Sequence, residues 1–167
     1  TSTSTSTSTS TSTSTSTSGG ASSQNGLVAA YNFDETGGTT ATDVSGNGNH
    51  GTLSGATWTA GKFGQALSFN GSNNWVTIPD ANSLDLTNGM TLSAWVYPTK
   101  LSANINTVLA KENGANVSYD LMTNDDTNVP QLYLGGSTYL RGRDQLPLNA
   151  WSHIASTFDG STVKLFV

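Results

Sequence analysis

The sequence has no cysteine, little charge and no long apolar run, and each absence excludes a class of protein. Without cysteine, neither a disulfide framework nor a thiolate metal site can form. Only 10% of the residues are charged, and the 6 Lys and Arg residues are scattered singly, so no basic stripe is available to neutralise nucleic-acid phosphates. No apolar segment reaches the length of about 18 residues that a membrane-spanning helix needs. We therefore expect neither a nucleic-acid partner nor a membrane span.

The residues of common hydrolytic sites are also scarce. Glycoside hydrolysis uses a pair of Asp or Glu side chains that face each other, whereas Glu35 and Glu112 stand isolated in the sequence. Asp125 and Asp126 lie in an Asn- and Asp-rich stretch that is typical of a solvated turn. No Gly-x-Ser-x-Gly motif is present to carry a serine nucleophile. The sequence therefore predicts a protein that is not an enzyme.

The composition changes near residue 25. Residues 1–18 alternate Thr and Ser strictly, and low complexity continues to residue 25. Such a tract has no apolar side chains to bury, so we predict a disordered linker over residues 1–25. Residues 26–167 are long enough for one domain with a core. Because the chain begins inside a repeat and ends within an apolar strand pattern, we expect truncation at both ends and a covalently tethered upstream domain.

The domain has the pattern of short strands separated by turns. Asn-Gly and Asp-Gly pairs, which accept the positive φ angles of tight turns, recur along it, and no window shows a long 3.6-residue period. The sequence therefore predicts an all-β fold. The predicted strands are Leu27–Phe33, Gly51–Ser54, Ala66–Phe69, Trp75–Ile78, Met90–Tyr97, Thr107–Lys111, Val117–Met122, Gln131–Leu134, Thr138–Arg141, Trp151–Phe158 and Thr162–Val167.

The clearest predicted hairpin turns at Asp159-Gly160. In the strand before this turn, a period of two places Ile154, Ser156 and Phe158 on one face. The opposite face then carries the alternate residues, which include His153. We interpret His153 as a packed strand histidine, since no second histidine or cysteine lies at zinc-ligand spacing.

Five blocks of the sequence occur in the order typical of one family. They are Tyr31–Glu35 with Asp43–Gly51, then Gly64–Gly71, Met90–Pro98, Trp151–Ala155, and Phe158–Gly160 with Val163–Val167. Together they resemble the LamG-like (laminin G, concanavalin A-like) jelly-roll modules of secreted bacterial proteins. The resemblance implies a two-sheet antiparallel β-sandwich of the concanavalin A-like lectin/glucanase type. It also implies that the C-terminal strands of the domain are missing after Val167.

The Asp43–Gly51 segment is a candidate metal loop. Asp43, Ser45 and Asn47 are oxygen donors spaced two residues apart, and calcium prefers hard oxygen ligands. The twelfth position is Ser54 rather than glutamate, which excludes an EF-hand loop. The resemblance implies a structural calcium site with Asp43, Asn47 and His50 as ligands. The alternative is an Asx-rich turn that holds no metal.

Aromatic residues beside polar ones are the candidates for carbohydrate binding. Sugar-binding proteins stack sugar rings on exposed aromatic side chains and hydrogen-bond the hydroxyls with polar ones. We predict such roles for Trp75, which follows a polar loop, and for Tyr139 with Arg141. An ordinary solvated loop is the alternative at both places. Trp95 and Trp151 lie in strands whose family equivalents resemble core positions, so we expect them to be buried.

The resemblance and the linker lead to one functional hypothesis. The chain is predicted to be a non-catalytic carbohydrate-binding accessory module of a larger secreted or cell-surface protein, with a polysaccharide or glycan as its partner. The alternative is a calcium-stabilised adhesion module whose partner is a cell-surface protein. A catalytic glycosidase or lyase domain is the third and least favoured hypothesis.

Overall fold

The computed structural model describes residues 26–100, 105–114, 116–124, 127–136 and 138–167. The predicted linker, residues 1–25, and the pair Asp125-Asp126 therefore lie outside the described residues. Within these ranges the chain forms strands and one short 3-10 turn at Asn82–Leu84. The strands are β1 Thr40–Ala41, β2 Gly51–Ser54, β3 Thr57–Ala60, β4 Gln65–Ser68, β5 Trp75–Thr77, β6 Met90–Val96, β7 Asn106–Asn113, β8 Asn116–Asn124, β9 Gln131–Leu134, β10 Thr138–Arg141, β11 Ser152–Phe158 and β12 Val163–Phe166.

In the described part of the chain, the strands pair in four antiparallel sheets. A four-stranded sheet has the order β10-β9-β8-β7, and a three-stranded sheet has the order β12-β11-β6. Their inner faces enclose the main core, to which Leu121 and Leu132 contribute from the first sheet and Leu92 and Ile154 from the second. Strands β1, β2 and β5 form another sheet, and β3 pairs with β4 as a hairpin. This all-β sandwich confirms the predicted fold class.

Most predicted strands are confirmed within one or two residues at each end. β2, β9 and β10 have the predicted bounds, and the hairpin of β11 and β12 turns at Asp159-Gly160 as expected. The side chain of Asp159 closes this turn by accepting hydrogen bonds from the N–H groups of Ser161 and Thr162, and Gly160 adopts a φ of 93°. Local turn chemistry therefore determined this hairpin.

The predicted strand Leu27–Phe33 is wrong. The segment belongs to no strand of the described residues, and Phe33 ends its extended course with a φ of 56°. The Val28 carbonyl is bonded instead by side chains, with the Asn49 amide donating to its oxygen at 2.8 Å, whereas the Ala30 carbonyl accepts the N–H of Val44. The period-two pattern identified an extended segment, but polar side chains of a distant loop occupy the positions of a neighbouring strand.

The expectation that Trp95 is buried is also wrong. Along β6, Leu92 points into the core, and Trp95 lies on the opposite face with 45% of its surface exposed. Trp151 is half-buried. His153 of β11 pairs directly with Trp95 in the strand register and is exposed beside it, with the two ring centres 5.2 Å apart. The outer face of this sheet is therefore aromatic.

Gly51 shows why the sheet of β1, β2 and β5, called the small sheet below, requires a glycine. A Cβ at this position would lie 2.5 Å from Cγ1 of Val76 on the neighbouring strand β5 and 3.5 Å from the side chain of Ala41. A β-branched side chain such as Val76 has little rotamer freedom with which to move away. The glycine thus allows β2 to approach its neighbours closely, and this positions the loop that precedes β2.

Candidate functional site

The Asp43 carboxylate is the centre of the predicted metal loop. The side chain is buried, and its Oδ1 accepts hydrogen bonds from the N–H groups of Ala30 at 3.0 Å and Ser45 at 2.9 Å. Its Oδ2 accepts from the Ser45 hydroxyl at 2.8 Å and from the Asn49 N–H at 3.0 Å. Asp43 therefore accepts four hydrogen bonds: the one from Ala30 joins the loop to the N-terminal segment, and the other three hold the loop itself.

The other two predicted ligands also have partners within the protein. The Asp43 N–H donates to Nδ1 of His50 at 3.1 Å, so this ring nitrogen serves as an acceptor. The Asn47 amide donates to the carbonyl oxygens of Leu27 at 2.8 Å and Val28 at 3.2 Å. The three residues lie in one loop, as predicted, but their polar groups tie chain segments together.

Hydrogen bonding also controls the ionisation of this loop. Burial acts to raise the pKa of Asp43, but the hydrogen bonds donated by Ala30, Ser45 and Asn49 outweigh burial, so the pKa lies below its usual value. The nearby Tyr31 hydroxyl, which donates to the Asn49 carbonyl, has its pKa raised to about 12 by burial and, to a smaller extent, by the negative charge of Asp43. Asp43 is thus a stable carboxylate anion in the folded state.

These contacts do not fit a calcium site formed by the three predicted residues. A carboxylate offers about four lone-pair positions, and in Asp43 four donors already occupy them. Across the described ranges, no three His, Asp or Glu side chains come together as a metal-binding group. The hydrogen bonding favours the Asx-rich turn, and calcium binding stays a prediction.

The three residues predicted to bind carbohydrate are divided between two places. Trp75 lies on β5, at the edge of the small sheet, and is 53% exposed. Tyr139 and Arg141 lie on β10, at the edge of the four-stranded sheet, with the Arg141 guanidinium 5.3 Å from the centre of the Tyr139 ring. The structure therefore brings Tyr139 and Arg141 together and places Trp75 in a different sheet.

Cross-strand pairing adds two residues to Tyr139 and Arg141. Tyr139 pairs directly with Tyr133 of β9, and Arg141 pairs with Gln131. The Arg141 Nε–H donates to Oε1 of Gln131 at 3.0 Å, which ties the guanidinium to the neighbouring strand β9. We name these four residues the β9–β10 patch. They lie on the outer face of the sheet, because the alternate residue Leu132 points into the core.

The β9–β10 patch combines a ring with fixed polar groups. Tyr139 is 57% exposed, whereas Gln131 is buried and held in place by Arg141 and by a contact of its amide with the Met122 sulfur at 3.7 Å. A guanidinium over an aromatic face is a favourable arrangement. An exposed ring beside oriented hydrogen-bonding groups can stack on a sugar ring and bond its hydroxyls.

Asp120 lies on the same face, one strand further into the sheet. It is 5% exposed, and its Oδ1 has no hydrogen-bond partner. Burial raises the pKa of Asp120 to about 6, while a hydrogen bond with the Thr107 side chain lowers it less. Because no second carboxylate accompanies Asp120 in the buried polar residues of β7–β10, this arrangement lacks the acid pair of a glycosidase.

The sequence analysis did not identify Gln131, Tyr133 or Asp120 as residues of this face. The alternation within Gln131–Leu134 was visible and places Gln131 and Tyr133 on one side. The sequence does not show the pairing of β9 with β10, which aligns these two residues with Tyr139 and Arg141.

In the described part of the chain, no helix is both long and apolar enough to cross a lipid bilayer.

The family comparison agrees with this architecture. The model of the concanavalin A-like lectin/glucanases superfamily matches residues 70–167, more than half of the chain. The matched region contains β5–β12 and so includes both sheets of the main core and the whole β9–β10 patch. The resemblance inferred from the sequence is therefore confirmed.

A solved structure provides a second comparison. Domain 4 of a GH43 extracellular arabinanase from Geobacillus stearothermophilus, solved in complex with arabinotriose, is 26% identical to this chain with a TM-score of 0.68. The similarity covers 84% of this chain and 70% of that one. No curated protein matches the chain.

Proposed function

We propose that this chain, which belongs to the concanavalin A-like lectin/glucanase superfamily, is a non-catalytic carbohydrate-binding module whose β9–β10 patch contacts the sugar. The observation that carries the proposal is the pairing of the exposed Tyr139 ring with the Arg141–Gln131 hydrogen bond on the outer face of one sheet. The ring provides a stacking surface, and the exposed guanidinium, which the buried Gln131 holds in place, provides donors for hydroxyl groups.

The similar arabinanase domain supports both the ligand class and the setting. That domain was solved with arabinotriose and belongs to a larger extracellular enzyme. We extend this to a neutral oligosaccharide or polysaccharide as the ligand here, and to a secreted or cell-surface parent protein. A neutral ligand suits the patch, because the charge of Arg141 is already directed toward Gln131 and the Tyr139 ring.

Among the described residues of β7–β10, no second buried carboxyl group accompanies Asp120, and this supports a non-catalytic role. Retaining and inverting glycosidases both need two carboxyl groups on either side of the scissile bond. Asp120 is the buried carboxyl of this face, and its oxygen Oδ1 is enclosed. Asp120 lies beside the patch on the neighbouring strand β8, where it pairs with Tyr133.

The proposal is tested by the binding of saccharides to single variants. Calorimetric titration with arabinotriose and native electrophoresis in gels that contain soluble arabinan, xylan or β-glucan measure affinity and retention. We expect Tyr139→Ala to weaken binding at least about ten-fold, which corresponds to about 1.4 kcal/mol. Arg141→Ala should weaken binding as well, because it removes the group that orients Gln131.

Arg143→Ala is the matched control. Arg143 is an exposed arginine two positions beyond Arg141, outside β10 and outside the patch. The control should keep wild-type affinity, and all variants should keep the wild-type unfolding midpoint. Unchanged retention of both Tyr139→Ala and Arg141→Ala, with the wild type retained, would show that the sugar binds elsewhere. A wild type that none of these polysaccharides retains would overturn the proposal.

A further inference from the structure

A second exposed surface lies on the opposite sheet. The outer face of β6 and β11 presents two ring pairs: Trp95 with His153, 5.2 Å between centres, and Tyr97 with Trp151, 5.4 Å between centres. Trp95 and Tyr97 are two residues apart on one strand course, which places them about 7 Å apart along the strand. Both rings are almost half exposed.

The tip of the β3–β4 hairpin completes this surface. Phe63 meets Trp95 edge to face at 5.9 Å and is itself 69% exposed. The Lys62 ammonium lies 5.2 Å from the centre of the Trp95 ring. The tip is tight, since the Gly61 N–H donates to the Gly64 oxygen at 2.9 Å and Gly64 adopts a φ of 60°. We name Phe63, Trp95, Tyr97, Trp151 and His153 the β6–β11 aromatic strip.

We propose that the β6–β11 aromatic strip is a second carbohydrate-binding site, which takes a neutral polysaccharide chain along β6. The proposal rests on the proposed function for the class of ligand, but on different residues for the site. Aromatic faces carry negative quadrupole charge and attract the electropositive C–H faces of sugar rings. Two stacking positions about 7 Å apart on one strand match the scale of successive sugar units.

The chemistry of the strip favours a sugar over other partners. Its side chains are rings with polar atoms, namely the exposed Trp95, Tyr97 and His153 and the half-buried Trp151, together with the exposed Phe63. Among the described residues, Lys62 is the lysine that lies over the Phe63 and Trp95 rings, so a polyanion would find little charge to pair with. Donors lie at the edge of the rings, where hydroxyl groups of a stacked sugar would lie.

Two sites on opposite outer faces make the module bivalent. The β9–β10 patch faces away from the core on one sheet, and the β6–β11 aromatic strip faces away from it on the other. A short oligosaccharide would fill each site separately. A long polysaccharide would be cross-linked, because each module could hold two chains.

Calorimetric titration with arabinotriose distinguishes the two sites by stoichiometry. We expect two bound molecules for the wild type, one for the double variant Trp95→Ala/Tyr97→Ala, and one for Tyr139→Ala/Arg141→Ala. Tryptophan emission should change on binding in the second variant and not in the first, because the strip contains Trp95 and Trp151. Turbidity of soluble arabinan should rise with the wild type and with neither variant.

Two single variants at the hairpin tip test the strip without the risk that a change within a sandwich strand disturbs folding. Lys62→Ala and Phe63→Ala alter the hairpin tip without changing a strand of the sandwich, and each should lower the affinity of the strip several-fold. Ile105→Ala removes an equally exposed apolar side chain outside both sites and should change nothing.

Three other results would each decide which of the two proposed sites binds the sugar, or whether the strip binds protein instead. A wild-type stoichiometry of one that Trp95→Ala/Tyr97→Ala leaves unchanged overturns the second site and keeps the proposed function. A single site that is lost in Trp95→Ala/Tyr97→Ala and kept in Tyr139→Ala/Arg141→Ala supports the strip and refutes the β9–β10 patch. Dimerisation that depends on Trp95, without saccharide binding, identifies the strip as a protein interface and overturns the proposal.

Discussion

Oδ1 of Asp43 accepts a hydrogen bond from the N–H of Ala30 at 3.0 Å, across a separation of thirteen residues. This contact fixes the N-terminal segment against the loop that precedes β2. The same carboxylate also holds the N–H groups of Ser45 and Asn49. The loop is therefore organised around the Asp43 carboxylate. Removal of this carboxylate leaves the N–H groups of Ala30, Ser45 and Asn49 without their acceptor.

We predict that Asp43→Ala lowers the free energy of unfolding by roughly 3 kcal/mol, because several hydrogen bonds to a buried charged acceptor are lost together. Urea unfolding of the variant and the wild type measures the difference. Asp144→Ala, which removes an exposed aspartate, is the control and should leave the free energy of unfolding nearly unchanged. A loss no larger than that of the control would contradict the central role of Asp43.

The contribution of Asp43 should also depend on pH. Its folded pKa is depressed, so the stabilisation is present above the unfolded pKa of about 3.9 and is lost as the pH falls through the folded pKa. The difference in stability between the wild type and Asp43→Asn should therefore be constant near neutral pH and shrink below about pH 4. A constant difference down to pH 2 would argue against a depressed pKa.

Calcium should leave the thermal unfolding midpoint unchanged if the loop is the Asx-rich turn that its hydrogen bonds describe. The midpoint is compared in calcium and in EDTA, for the wild type and for Asp43→Ala. A rise in calcium that disappears in Asp43→Ala would instead support the predicted metal site. Such a result would require that the donors of Ala30, Ser45 and Asn49 give way to the cation.

Asp120→Asn should stabilise the domain at neutral pH. Its folded pKa, raised to about 6 by burial, means that ionisation above this pH costs stability, whereas below the unfolded pKa of about 3.9 both states are protonated and no cost remains. The gain of the variant over the wild type should thus be small at pH 4 and grow to about 2–3 kcal/mol at pH 7. Denaturant unfolding at the two pH values measures it.

Thr107→Val is a useful companion to this experiment. The Thr107 side chain opposes the upward shift in the pKa of Asp120. Its removal should therefore enlarge the gain that Asp120→Asn produces at pH 7. An equal gain of Asp120→Asn at pH 4 and pH 7 would refute the raised pKa.

Gly51→Ala should destabilise the domain by about 1–3 kcal/mol, the usual cost of overpacking. The added methyl group would overlap Cγ1 of Val76, and the stiff side chain of Val76 cannot move away easily. Gly51→Ala/Val76→Ala should recover part of the loss, because the second change restores the space. The unfolding midpoints of the two variants give the result, and an absence of recovery would rule out this contact as the cause.

The sequence by itself determined most of the strands that follow residue 60, although not the course of residues 27–33. Alternating apolar residues and the Asp159-Gly160 turn were enough to predict the β11–β12 hairpin, because strand period and turn chemistry are local properties. The bounds of β9 and β10 and the grouping of Tyr139 with Arg141 followed for the same reason. The ordered blocks of family residues also identified the superfamily.

Only the tertiary structure decided which faces are covered and which strands are neighbours. A period of two shows that Leu92 and Trp95 lie on opposite faces, but it does not say which face another sheet will bury. The core that Leu92 shares with Leu121 and Leu132 of the four-stranded sheet leaves Trp95 outside. The alignment of Gln131 with Arg141 likewise depends on strand pairing across a turn. Burial and cross-strand contact are non-local, so the two proposed binding surfaces emerge only when the sheets have assembled.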